Sequence, residues 1–266
     1  MASGIYGLIL GARDLFYPPK CSACKQLLPW YVPTTRERRE RALCAECYRL
    51  FRKETEETCG VCGERVRQCL CMPLLLYEAK CRGFCKLAYY VPIKTDPVQN
   101  RLVYHIKRSN DSKTFRFLAK QLSFSVAKLF EGEAVPRETL ITYVPRGRNA
   151  ILREGVDQSR AIAECLGKCL GIECKELIVR DPKSNTPQKE LTPEAREKNA
   201  QAAFSAISTE RICRGKTVLL VDDVVTTGAT AARCVRLLRR MGATRVYCVA
   251  AASDGINRYR GVCAEK

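Results

Sequence analysis

The chain is 266 residues long, 46% hydrophobic and 28% charged, which supplies a buried core and excludes wholesale disorder. No apolar run reaches the roughly 18 residues that a membrane helix needs, and Ile5–Ala12 is too short, and lacks the basic flank, for a secretory leader. A net charge of +18 suits polyanionic partners or simply keeps the surface soluble, and the single histidine, His105, excludes any paired-histidine zinc motif.

Cysteine is unevenly spread: ten of the seventeen lie in residues 1–85. An odd count without a leader argues against a secreted disulfide framework and for metal binding in a reducing, cytoplasmic setting. Cys21-x2-Cys24 and Cys44-x2-Cys47 have the spacing of a zinc ribbon. Each C-x2-C turn offers two corners of a tetrahedron, so two turns complete a closed four-thiolate site. Cys59-x2-Cys62 followed by Cys69-x-Cys71 forms a second set, one residue short of a standard knuckle. Ligation in chain order is the simplest arrangement; interleaved ligation also satisfies the spacing. No neighbouring residue provides an open position or a base, so one or two structural Zn²⁺ ions are expected. With both sites loaded the net charge would be about +14. Cys81 and Cys85 read as buried thiols, with extra ligation the alternative. Arg36, Arg38, Arg39 and Arg41 form a basic run that reads either as a phosphate-contacting surface or as a solvated face.

Residues 100–131 predict helix, interrupted at Ser109–Ser112. Thr139–Val144 predicts a strand stopped by Pro145. Asp157–Leu170 predicts a helix with Ala161, Ile162, Cys165, Leu166 and Cys169 on one face. Glu176–Val179 predicts a short strand, and the polar, proline-containing stretch 181–193 a loop. Lys216–Val221 predicts a strand, Gly228–Met241 a helix buried through Ala231, Val235, Leu238 and Met241, and Thr244–Ala251 a last strand. Strands alternating with helices imply an α/β fold with a parallel sheet. His105, beside Lys107 and Arg108, reads as a surface or satisfied histidine.

VLLVDDVVTTGAT, residues 218–230, carries the most chemistry. A buried strand ends in Asp222 and Asp223, then Thr226–Thr230 leads into a helix. Ligands of open α/β sheets bind beyond the carboxyl ends of strands, and a helix N-terminus presents free N–H groups to phosphate. Two carboxylates would repel bare phosphate but accept hydrogen bonds from ribose hydroxyls or hold a divalent cation. Together they ask for a sugar 5-phosphate. Arg146, Arg148 and Arg153 follow another strand end and suit diphosphate, or else are surface arginines. Lys183, Lys189, Arg196 and Lys198 lie on or beside a loop that could close over polyphosphate. A Walker A sequence and a G-x-G-x-x-G fingerprint are both absent.

The 218–230 segment resembles the ribose-phosphate signature of type I phosphoribosyltransferases. LFYPPKCSAC (15–24), YVPRGRNAILREGVDQS (143–159) and TPQKEL (186–191), with Arg196, Asn199 and Ala203-Phe204, resemble the ComF family. The resemblance implies a type I phosphoribosyltransferase-like sheet with flanking helices behind a double zinc-ribbon domain. It divides the chain into residues 1–75 (zinc ribbon), 76–135 (helical linker or hood) and 136–266 (phosphoribosyltransferase-like). It further implies phosphoribosyl pyrophosphate (PRPP) bound with Mg²⁺. Asp222 and Asp223 would be the catalytic pair. Val224, Val225, Thr226, Thr227, Gly228, Ala229 and Thr230 would form the substrate loop, and Arg146 and Arg148 would meet the diphosphate. Single-stranded DNA and proteins of the competence machinery are the implied partners. Two functions follow: phosphoribosyl transfer, or a catalytically silent nucleotide sensor that binds single-stranded DNA.

Overall fold

The computed structural model describes residues 16–28, 41–90, 97–130, 135–181, 204–207, 212–254 and 258–259. Its centre is a four-stranded parallel sheet in the order β2-β7-β6-β3, with β2 Gly83–Tyr90, β3 Thr139–Tyr143, β6 Thr217–Val225 and β7 Arg245–Asp254. Alternation along β6 shows why it is central. Val218 and Leu220 point to one face, Leu219 and Val221 to the other, and all four are fully buried. Two antiparallel pairs flank the sheet: β1 (Met72–Pro73) with β8 (Arg258–Tyr259), and β4 (Ile178–Arg180) with β5 (Phe204–Ala206).

Helices cover both faces. One layer holds α1 (Ala45–Thr55), α3 (Val98–Arg108), α4 (Ser112–Leu129) and α6 (Gln158–Leu170). The other holds α2 (Leu74–Glu78) and α7 (Ala229–Arg240). α5 (Arg148–Glu154) buries none of its residues. The break between α3 and α4 falls at the expected Ser-Asn-Asp-Ser stretch, where Asp111 caps α4 by accepting from the Lys113 N–H at 3.3 Å. Asp157 caps α6 in the same way through the Arg160 N–H at 3.1 Å, and Gly171 closes that helix at φ 68°.

Several expectations shift. β6 runs on to Val225, so Asp222 and Asp223 lie inside the strand, with Asp222 opposite Ala250 of β7. β4 begins at Ile178, because Cys174 and Lys175 are occupied in contacts with Ile141 of β3. On α6 the buried stripe is Ile162, Ala163, Leu166 and Gly167, while Cys169 is exposed. The stripe turns because α6 packs between α4 and the sheet and so needs a broad apolar face. A further strand, β8, follows what was expected to be the last strand and pairs with β1. Residues 83–90, within the stretch read as helical linker, supply the edge strand β2, whose run of buried side chains suits a parallel strand covered on both faces. Arg36, Arg38 and Arg39, and Lys183, Lys189, Arg196 and Lys198, lie outside the described residues. Among the described residues no helix is long and apolar enough to cross a membrane.

Candidate functional site

The carboxyl ends of β3 and β6 and the start of α7 enclose a cavity of about 260 Å³. The sheet places Asp222 and Asp223 there, each only 8% exposed. Ser159, in the first turn of α6, locks the pair. Its hydroxyl donates to Asp222 Oδ1 at 3.1 Å and accepts from the Asp223 N–H at 3.1 Å. The Asp223 N–H also reaches Asp222 Oδ1 at 2.9 Å, and Asp223 Oδ1 accepts from the Val224 N–H at 2.8 Å. Asp223 Oδ2 is then buried without a partner, an acceptor that a ligand hydroxyl or a cation would satisfy. Burial first, and the neighbouring Asp223 carboxylate second, push the Asp222 carboxyl well above the usual range. Burial also raises Asp157, which accepts from the Arg146 N–H at 3.1 Å.

Val224 to Thr230 line the cavity across the end of β6, the turn after it and the start of α7. Val225 is buried under it, and Thr226, Thr227 and Thr230 are exposed. Thr227 Oγ1 accepts from the Ala229 N–H at 3.4 Å. Gly228 sits at φ +79°, the left-handed conformation that glycine tolerates. A Cβ there would come within 3.0 Å of the Pro73 Cβ and 3.3 Å of the Leu76 Cγ. Gly228 is therefore required by packing against α2 as much as by close approach of a ligand.

The arginines differ. Arg146 lines the cavity, but its guanidinium is held by Glu154 and Gln158. Arg148 is exposed at the start of α5 and is not part of the lining; Arg153 is exposed and paired with Glu154. Two contributors escaped the sequence reading. Ser159 is one. Arg180 is the other: it lines the cavity from the end of β4, stacks 5.6 Å over the Phe204 ring, and has a buried Nε without a partner. The signal for Arg180 was an arginine directly after a short apolar strand, the position where α/β sheets bind ligands.

The cysteines gather in chain order. Cys21, Cys24, Cys44 and Cys47 form one cluster and Cys59, Cys62, Cys69 and Cys71 the other; the sulfurs of each lie within 4.8 Å of one another. Four sulfurs at that spread match a tetrahedral divalent ion. In the second cluster the 3₁₀ turn Val66–Gln68 swings Cys69 inward, which makes good the missing knuckle residue. Burial raises the Cys59 thiol, but hydrogen bonds from Tyr89 and the backbone at Cys62 and Val61 outweigh it and bring it to about 5. Lys86, fully buried on β2, donates to Cys69 Sγ at 3.3 Å and to the Cys69 and Cys71 carbonyls at 3.2 and 3.0 Å. No carboxylate pairs with it among the described residues, so the anion that balances this cation has to be the thiolates themselves. Cys81 and Cys85 stand apart as buried thiols, both pushed up to about 12 by burial. His105 is satisfied: Nε2 meets Asp111 Oδ2 at 2.9 Å and Nδ1 meets Lys25 Nζ at 2.6 Å.

Residues 150–261 match the phosphoribosyl transferase domain family, a span that takes in β6, the loop after it and α7. The chain is 29% identical to the DNA utilization protein YhgH of Salmonella typhi over 155 residues, 58% of this chain and 67% of that one. It is 25% identical to competence protein F of Haemophilus influenzae over 209 residues, 78% of this chain and 88% of that one. Among solved structures, glutamine PRPP amidotransferase from B. subtilis superposes with a TM-score of 0.36 at 23% identity, covering 51% of this chain. The chain spans about a quarter of the length of that amidotransferase, 25%.

Proposed function

From a chain that is a distant homologue in the ComF/YhgH family, with a phosphoribosyl transferase domain and N-terminal cysteine-rich groups, we propose a PRPP-binding protein that acts in the handling of incoming DNA. The observation that carries the reading is the unpartnered Asp223 Oδ2, buried at the mouth of a helix-capped cavity. Asp223 and Asp222 accept from the ribose hydroxyls. The N–H groups of the Thr226–Thr230 turn, with the threonine hydroxyls, cradle the 5-phosphate at the positive end of α7. Arg180 offers its Nε to the diphosphate side, and Arg146 joins it once released from Glu154. Asp222 and Asp223 are the residues that would hold a Mg²⁺ bound with PRPP, which would supply charge neutralisation. In the transferase reading an acceptor nitrogen displaces pyrophosphate at the anomeric carbon. The departing charge needs fixed cations, and the oxocarbenium-like carbon needs a held sugar more than a nucleophile. Zn²⁺ in the two cysteine clusters is structural, since four thiolates close each site.

One observation favours the second reading, a nucleotide sensor without turnover. Arg146 is tied to Glu154 and Gln158, so this cavity-lining cation is not free to stabilise a leaving group. Calorimetry with PRPP and Mg²⁺ tests the shared premise: PRPP should bind and ribose 5-phosphate should compete. Asp223→Ala should weaken binding about ten- to a hundredfold, from a charge-assisted hydrogen bond of about 1.5–3 kcal/mol. Gly228→Val is a poor probe because it disturbs Pro73 and Leu76; Thr227→Val is cleaner, on an exposed residue. No PRPP binding by the wild type would remove both readings. Pyrophosphate release with any nucleobase or amine would decide for the transferase.

A further inference from the structure

Among the described residues, a row of four arginines lies along α7. Arg233, Arg236, Arg239 and Arg240 line one wall of a groove of about 780 Å³ between α7 and α2, with Lys80 on the other rim. Leu75, Leu237 and Phe204 give the groove an apolar floor, and Glu78 is the one acid among its lining residues. Three surface arginines on other helices do meet carboxylates: Arg49 with Glu46, Arg52 with Glu56, Arg160 with Glu164. The side chains of the four α7 arginines have no ion pair or hydrogen bond among the described residues.

Helix stability explains only half of this. Arg239 and Arg240 are in the last turn of α7, where the macrodipole favours cations. Arg233 and Arg236 are in its middle, where they gain nothing from the dipole. Spacings of three and four residues set Arg233, Arg236 and Arg240 against one another as like charges. A folded chain that keeps such a row has a use for it outside itself.

We propose that this groove binds the phosphate backbone of a single-stranded nucleic acid. The row from Arg233 to Arg240 extends about 10 Å along the helix, enough for successive phosphates rather than one. All four residues are arginine, whose planar fork pairs with phosphate oxygens and whose flat face stacks on bases. The apolar floor accepts unstacked bases, which a duplex does not offer and a flat bilayer cannot reach. Ala229 lines both this groove and the phosphoribosyl cavity, so a bound strand lies beside the helix start that cradles phosphate. The assignment deepens the sensor reading above and rests on it for the choice of partner, while the location rests on the groove alone.

The test is fluorescence anisotropy of a labelled (dT)20 on the zinc-loaded full chain at low salt. Arg233→Glu/Arg236→Glu should weaken binding at least tenfold and lower the slope of log affinity against log salt by about 1.4, two phosphates' worth on a single strand. Lys120→Glu/Lys128→Glu makes the same charge change on α4, which packs on the opposite face of the sheet, and should bind as the wild type does within about twofold. Circular dichroism and PRPP titration of each variant report that the fold is retained. Equal weakening by the two double variants, or none by the α7 pair, would overturn the groove while single-strand binding itself stood. No binding by the wild type would overturn both. Displacement of (dT)20 by polyglutamate or by anionic vesicles, at lower concentration than by unlabelled (dT)20, would reassign the groove to an acidic peptide or a lipid surface and overturn the proposal.

Discussion

The sulfurs of Cys21, Cys24, Cys44 and Cys47 sit among helices, whereas those of Cys59, Cys62, Cys69 and Cys71 sit against the edge of the sheet. Cys21 and Cys47 belong to the large core that runs through α3, α4 and α6 to Leu219 and Val249. The Phe51 and Phe117 rings, 5.1 Å apart, join α1 to α4 beside them. A polar web reinforces the junction: Ser22 Oγ donates to Asp111 Oδ2 at 3.1 Å, Thr114 Oγ1 donates to Ser22 Oγ at 2.7 Å, and Lys113 Nζ donates to the Lys20 carbonyl at 2.6 Å. The second cluster has only a small core, Cys59, Cys69 and Cys71 with Cys62 and Tyr89 packed on it. Its polar ties to the sheet are the buried Lys86 ammonium and the Tyr89 hydroxyl, both on β2. Equal ligand sets thus do different work. The first cluster is held by shared apolar packing, the second by charge balance with a sheet strand.

Zinc analysis with substitution at each cluster is the strongest way to break that contrast. Wild-type protein should carry close to two zinc per chain. Cys21→Ser should collapse the fold, because a structural zinc site contributes about 10–16 kcal/mol and a domain's whole stability is about 5–15 kcal/mol. Soluble Cys21→Ser protein with an unchanged thermal midpoint would show that the first cluster is peripheral after all.

Lys86→Met comes next. It keeps the stem and removes the charge, so the fold should persist. One of the two zinc equivalents should then be lost to a chelator at about ten- to a hundredfold lower concentration, the usual cost of removing a metal site's outer partner. Amide exchange should rise in β2, the strand that carries Lys86, and not in α3 or α4. Identical zinc retention at both sites would remove Lys86 from the account of the second cluster.

The smallest effect tests the first cluster's polar web. Burial raises the Asp111 carboxyl, but the hydrogen bonds from His105 and Thr114 and the Lys113 charge outweigh it and bring it to about 2. A carboxyl lowered in the folded state stabilises above its unfolded value, near 3.8, and that stabilisation disappears as pH falls through about 2. Asp111→Asn should therefore cost about 2 kcal/mol in denaturant unfolding at pH 7. The cost should disappear as pH falls from about 3.8 through about 2. A cost that persists below pH 2 would place the responsible interaction elsewhere than on the Asp111 charge.

Much of this was legible locally. The two cysteine sets, the break between α3 and α4, and the acid pair before a Thr/Gly turn all depend on residues within a few positions of one another. Backbone geometry converts such spacing directly into a knuckle or a strand–turn–helix. What misread were strand ends and buried faces. β6 outran its expected end because β7 pairs with Asp222, Val224 and Val225, a fact about a neighbour and not about the run itself. Cys169 was placed on the buried face of α6 by periodicity, and the packing of α4 and the sheet turned the buried stripe away from it.

By itself, then, the sequence determined which groups the chain carries: two four-cysteine sets, an acid pair before a Thr/Gly turn and an excess of positive charge. Only the tertiary structure decided which groups meet. It put Lys86 of an unforeseen edge strand against Cys69, 17 residues away in the chain. It set Ser159 on Asp222 across 63 residues, and it turned Arg146 toward Glu154 instead of into the open cavity. It also ranged the α7 arginines along a groove whose other wall is a distant helix. Local periodicity reports only the face a residue occupies on its own element. The partner across that face is set by how helices and strands pack, and that depends on burial summed over the whole core.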